Sequence, residues 1–271
     1  MSVNIEVICI GNELLIGKIQ NTNAHWLSRQ VTKLGAIITR ISVIQDLIPE
    51  IAQTINEAIK RKPQVVITTG GLGPTFDDKT FQGIARALNR QLRVDQKALE
   101  TVKQKCVEYA KKSQHPNEFE LTPPRVKMAT FPDKTIPISN PIGTAPSLCV
   151  EVGDTVLFAL PGVPMEMEAI FTESIVPLIK QKVGATIFCE QSIFAYNIME
   201  SCLAPIIDSV MIDNQGVYIK SHPMLMTDKP RIELHLTILA NRNQKPAEKL
   251  LKAAKMLAYL IEENGGIVSF E

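Results

Sequence analysis

Val65-Val66-Ile67-Thr68-Thr69 is an apolar, β-branched run that stops at Gly70-Gly71-Leu72-Gly73-Pro74. Such a run reads as a short buried strand. Three glycines and a proline then force the backbone to turn sharply. Beyond the turn come Thr75, Phe76, Asp77 and Asp78, followed by apolar residues at helical spacing, Phe81, Ile84, Ala85 and Leu88. Strand, glycine loop and helix in that order suit an anion site. Glycine lets backbone N–H groups approach a phosphate, and a helix N-terminus favours negative charge. Asp77 and Asp78 fit such a site only if a divalent cation joins it, because Mg²⁺ is commonly held by one or two carboxylates plus substrate phosphates. The plainer reading is a turn in which Asp77 or Asp78 caps the helix. On these residues alone both readings stand.

The same alternation precedes this stretch. Val3–Ile10 reads as a strand and Gly11–Gly17 as a loop. Asn21-Thr22-Asn23 offers caps for a helix carrying Ala24, Leu27, Val31 and Leu34, with Gly35 at its end. Ala36–Ile44 reads as the next strand, and Pro49 as the first turn of a helix burying Ile51, Ile55, Ala58 and Ile59. Strands alternating with helices predict right-handed βαβ units and a parallel sheet. Ligands bind such sheets beyond the carboxyl ends of the strands, where Gly11–Gly17 and Gly70–Asp78 would both lie. Asp95–Lys112 reads as a helix, Ser113–Pro124 as a polar loop, and Asn140–Pro146 as a dense cluster of turn residues. Ser147–Val152 and Thr155–Leu160 flank Gly153-Asp154, a hairpin signal. Pro161–Pro164 breaks the chain before a helix with Met167, Ile170, Phe171 and Ile175. From Thr186 onward the order changes to β-α-β-β-α-β. The expected architecture is α/β: a three-layer domain with a mainly parallel sheet over residues 1–175, then a smaller α+β domain over 176–271.

Composition excludes more than it assigns. A formal net charge of +1 offers no basic surface for nucleic acid or an anionic membrane. The five cysteines are scattered without a CxxC pair, so neither a disulfide framework nor a zinc site is indicated. His25, His115, His222 and His235 share no metal-ligand spacing. Trp26 reads as a packing or interface residue. Asn4 and Glu6 interrupt the start before any long apolar region, and no apolar run is long enough to span a bilayer. A cytoplasmic soluble protein is expected.

Five separated stretches, taken together, resemble the N-terminal part of CinA (competence/damage-inducible protein A), within the molybdopterin-binding MogA/MoaB-like superfamily. They are Ile10–Gly17, Asn21-Thr22-Asn23, Thr69–Thr80, Asn140–Pro146 and Leu160-Pro161-Gly162-Val163-Pro164-Met165-Glu166-Met167, and they cover residues 1 to about 180. A weaker match continues through Met199-Glu200-Ser201 into a KH-like domain, with no GXXG clamp for RNA. Bacterial CinA often carries a further C-terminal domain that deamidates nicotinamide mononucleotide; with Glu271 as the last residue, that activity is not expected. Pterin-handling relatives usually read Gly-Gly-Thr-Gly where this chain has Gly70-Gly71-Leu72-Gly73. The loss of that hydroxyl points to the CinA branch.

The resemblance implies a metal-dependent pyrophosphatase acting on ADP-ribose or a similar nucleotide diphosphate. Asp77 and Asp78 would hold a divalent metal, Mg²⁺ or a transition metal, with Asp78 at the catalytic centre. Glu13 would order a water or act as base. Gly70, Gly71, Leu72, Gly73 and Thr75 would cradle phosphate; Asn21 and Asn23 would bind ribose or phosphate; Asn140, Gly143 and Thr144 would complete the pocket. Asn21 and Asn23 also read as plain helix caps, and the Asn140 cluster as a plain turn. The alternatives are a pterin-binding or adenylylating protein of molybdenum cofactor synthesis, and a non-catalytic nucleotide sensor. A homodimer without nucleic-acid or membrane partners is expected.

Overall fold

The computed structural model describes residues 3–112, 121–224 and 231–270. The chain divides into two compact units, one of Met1–Thr32 with Ala36–Lys182, the other of Lys33–Gly35 with Val183–Glu271.

The first unit begins β1 (Asn4–Ile10), α1 (Asn12–Leu15), α2 (Thr22–Lys33), β2 (Ile37–Ile44), α3 (Ile48–Lys60), β3 (Val65–Thr69) and α4 (Thr80–Ala87). It continues β4 (Leu92–Val94), α5 (Gln96–Lys112), α6 (Pro123–Met128), β5 (Thr130–Pro132), β6 (Ile136–Ile138), β7 (Ser147–Val152), β8 (Thr155–Leu160) and α7 (Pro164–Ile170). A π-helical turn, Phe171–Ile175, then runs into α8 (Val176–Val183). The main sheet has the order β2-β1-β3-β8-β7-β6. β2, β1, β3 and β8 are parallel; the hairpin returns β7 antiparallel, and β6 pairs antiparallel with it. Every residue of β3 and β8 is buried, as expected of central strands covered on both faces. The registers Cys9↔Thr69 and Thr69↔Leu160 align the carboxyl ends of β1, β3 and β8. The chain therefore leaves all three strands at one edge.

Several expectations need correction. The segment Gly11–Gly17 contains the one-turn helix α1 rather than loop alone. Residues 113–120, with His115, lie outside the described residues, and Pro123 opens α6 instead of ending a loop, since proline is tolerated at the first helical position. The three-residue strands β4, β5 and β6 were absent from the sequence reading. The helical run from Pro164 passes through residue 175 to Val183, so the compact units separate at Lys182/Val183.

The second unit contains β9 (Thr186–Tyr196), α9 (Glu200–Asp213), β10 (Val217–Met224), β11 (Arg231–Asn241), α10 (Pro246–Glu263) and β12 (Ile267–Ser269). The strand order β10-β11-β9-β12 is antiparallel throughout. This is the ferredoxin-like split βαβ arrangement, and it adds nothing to the KH-like resemblance. Ile232, Leu234, Leu236 and Ile238 alternate along β11 into one core with Leu250, Ala253, Leu257 and Ile261 of α10. Among the described residues no helix is long and apolar enough to cross a membrane.

Candidate active site

A cleft of about 950 Å³ opens at the carboxyl ends of β1, β3 and β8. Its floor is the glycine loop. Gly70 has φ 99°, and a Cβ there would sit 2.2 Å from the Ile10 carbonyl oxygen. Only glycine lets the loop cross the end of β1 so closely. Thr80 ties the loop to α4: its hydroxyl donates to the Gly70 carbonyl at 2.8 Å and its amide to the Gly71 carbonyl at 3.1 Å.

Two of the expected phosphate donors are already occupied. The Gly70 amide donates to the Leu160 carbonyl at 3.0 Å, and the Thr75 amide to Asp78 Oδ2 at 2.8 Å. Among the described residues the amides of Gly71, Leu72 and Gly73 have no protein partner and remain for an anion. Leu72 itself is 4% exposed and belongs to the apolar core with Phe81 and Met128.

Asp77 and Asp78 do not cap α4, whose N-cap is Lys79 without a side-chain capping bond. They fold back on Thr75 instead. Its hydroxyl lies 2.6 Å from Asp78 Oδ2 and also against Asp77 Oδ1, while Lys127 Nζ donates to the Thr75 carbonyl. One hydroxyl carries one proton, so it cannot satisfy both carboxylates at once. The Thr75 hydroxyl and the backbone amide of Asp77 hold the Asp77 carboxyl below its usual range, with Lys127 and Lys79 adding to the effect. Burial pushes Lys127 below the usual lysine range, partly opposed by Asp78 and Asp77.

The sequence reading missed Asp46. It lies two residues past the end of β2, is 8% exposed, and its Oδ2 accepts from the Asn12 amide at 2.8 Å. Burial raises its proton affinity most, and the charges of Glu13, Asp77 and Asp78 push it the same way. Asp46 therefore joins the three expected carboxylates along the cleft. Glu13 projects from α1 and folds back over Gly11, where a Cβ would lie 2.3 Å from its Oε1. Among the described residues no group of three or more His, Cys, Asp or Glu side chains is arranged to hold a metal ion by itself. A metal would need oxygens from the ligand as well.

Asn21, Asn23 and Thr144 also line the cleft. Asn21 acts as a cap, accepting from the Ala24 amide at 3.1 Å. Asn23 Nδ2 donates to the Gly162 carbonyl at 2.8 Å, while its Oδ1 is buried without a partner among the described residues. Asn140 and Gly143 stand behind the cleft wall rather than on it. Asn140 is 1% exposed and braces its own loop by accepting from the Ile142 and Gly143 amides. Trp26 packs edge-on against Phe171, with ring centroids 5.4 Å apart.

A family described as the probable molybdopterin-binding domain matches residues 6–181. The chain is 40% identical over 257 residues to a protein of Pyrobaculum calidifontis, covering 94% of this chain and 95% of that one. It is also 40% identical over 266 residues to a protein of Aeropyrum pernix, covering 98% and 96%. The crystal structure of CinA from Thermoplasma acidophilum, described as of unknown function, is 37% identical and matches 67% of this chain and 98% of that one with a TM-score of 0.57. With the match spanning the strands, glycine loop and carboxylates just described, the chain belongs to the family of probable molybdopterin-binding domains, and it is similar to CinA.

Proposed function

We propose that this protein hydrolyses the diphosphate bond of a nucleotide such as ADP-ribose with the help of a divalent metal. One observation carries the reading: free amides at Gly71–Gly73 share a cleft with four carboxylates, Glu13, Asp46, Asp77 and Asp78. Amides of this kind suit a phosphate. Carboxylates beside a phosphate repel it unless a cation lies between them. The donor set fits a metal shared between protein and substrate, with Asp77 and Asp78 contributing protein oxygens. When bound, such a metal would neutralise diphosphate charge and polarise the phosphoryl group under attack. Gly71–Gly73 would fix the diphosphate. Glu13 would orient the attacking water and take its proton. The new bond joins water oxygen to phosphorus, the bridging P–O bond breaks, and ADP-ribose yields AMP and ribose 5-phosphate.

The family match favours a second reading, binding or adenylylation of a pterin. Leu72 does not decide against it, because its side chain faces the core. A screen of ADP-ribose, NAD and FAD with Mg²⁺, Mn²⁺ and Co²⁺ separates the two. Metal-dependent release of AMP supports the first; no turnover on any of them, together with tight pterin binding, supports the second.

A further inference from the structure

We infer that Glu166 marks a second subsite of this cleft, which accepts hydrogen bonds from the nucleoside part of the ligand. The inference rests on the nucleotide reading above and concerns a residue that reading does not use.

Glu166 lies in the first turn of α7 and lines the cleft. Its Oε2 accepts from Asn140 Nδ2 at 2.6 Å. The second proton of that amide goes to the Ala145 carbonyl at 2.9 Å, and Asn140 Oδ1 accepts from the Ile142 and Gly143 amides at 3.0 and 2.8 Å. All four hydrogen-bonding positions of a buried carboxamide are thus filled, which fixes which way it faces. Lys105 of α5 donates to the Asn140 carbonyl at 2.5 Å and anchors the same loop. A Cβ on Gly143 would lie 2.2 Å from the Glu166 carboxyl carbon, so glycine is what leaves room for this approach. The carboxylate is built into the wall, with one oxygen committed. Glu166 Oε1 has no hydrogen-bond partner among the described residues.

An ionised carboxylate only accepts hydrogen bonds, and it repels phosphate. With the metal assigned to Asp77 and Asp78, the partner that fits it on the ligand is a neutral donor. In a nucleotide two groups qualify, the vicinal hydroxyls of ribose and the amino edge of a base. Tyr109, on the helix that bears Lys105, lines the same cleft. On this inference the cleft takes phosphate at Gly71–Gly73 and the nucleoside at Glu166.

The test titrates AMP, 2′,3′-dideoxy-AMP and inosine monophosphate into the full chain, as wild type and as Glu166→Gln. Wild type should bind AMP about tenfold more tightly than one of the two analogues, the size expected for a lost hydrogen bond to a charged group. Weakening by the dideoxy compound identifies the ribose hydroxyls; weakening by inosine monophosphate identifies the amino group. Glu166→Gln keeps an acceptor for Asn140 and should bind AMP and that analogue equally. Equal binding of all three by wild type, or discrimination that survives in Glu166→Gln, overturns the subsite. If wild type then still hydrolyses ADP-ribose, the pyrophosphatase reading stands without it. If wild type neither binds AMP nor hydrolyses ADP-ribose, both fall.

Discussion

Asp46 shows how local charge is arranged in the cleft. It is buried, feels the charge of three other carboxylates, and among the described residues accepts one hydrogen bond, from the Asn12 amide. Its folded pKa is raised above the ordinary 3.8, so folding favours the protonated form. The stability from that protonation is full below the unfolded pKa and is lost as pH rises through the folded pKa. Asp46→Asn keeps an acceptor for Asn12 and removes the charge. Its melting temperature at neutral pH, without ligand, should exceed that of wild type, and its metal-dependent hydrolysis should fall. A lower melting temperature across neutral pH would contradict this electrostatic account. Asp77 and Asp78 were legible because they are adjacent and follow a glycine loop. Asp46 was not, since a lone carboxylate after a strand carries no pattern until β2 is laid beside β1. Lys127 is hidden for the same reason: only the fold brings it to Thr75.

At the scale of elements, the glycine loop depends on how β1 and β3 end together. Gly70→Ala would place a Cβ against the Ile10 carbonyl at a φ that disfavours side chains. Such strain costs about 1–3 kcal/mol before the clash is counted, so the variant should melt lower and lose phosphate affinity. A chemical-denaturation midpoint indistinguishable from wild type would show that the loop is slack. β1, β2, β3 and the β7–β8 hairpin were readable because β-branched runs and turn residues mark them. β4, β5 and β6 have three residues each, too few for any periodicity to show. α1 has four residues and buries none, which leaves no apolar stripe to read. The proposed phosphate cradle was half legible. Glycines announce close backbone approach, but Gly70 and Thr75 spend their amides on Leu160 and Asp78.

At the scale of the whole molecule, the change from βα alternation to β-α-β-β-α-β was written in the sequence, while a boundary at residue 175 has no support there, because the helical run continues through it to Val183. We propose that the protein is a homodimer. The edge strand β2 leaves Ile41 45% and Val43 37% exposed, an apolar edge that a second copy would cover. Light scattering at micromolar concentration should return twice the 30.0 kDa chain mass; a monomer mass would count against the dimer. The central claim is that Asp78 serves a metal-bound diphosphate. Asp78→Asn keeps an acceptor for the Thr75 amide and removes the charge, so the ligand-free melting temperature should barely move. Steady-state hydrolysis of ADP-ribose at saturating metal measures the claim directly. The account predicts a fall on the order of a hundredfold or more, as when one electrostatic contact to a transition state is lost. Turnover near that of wild type would contradict it.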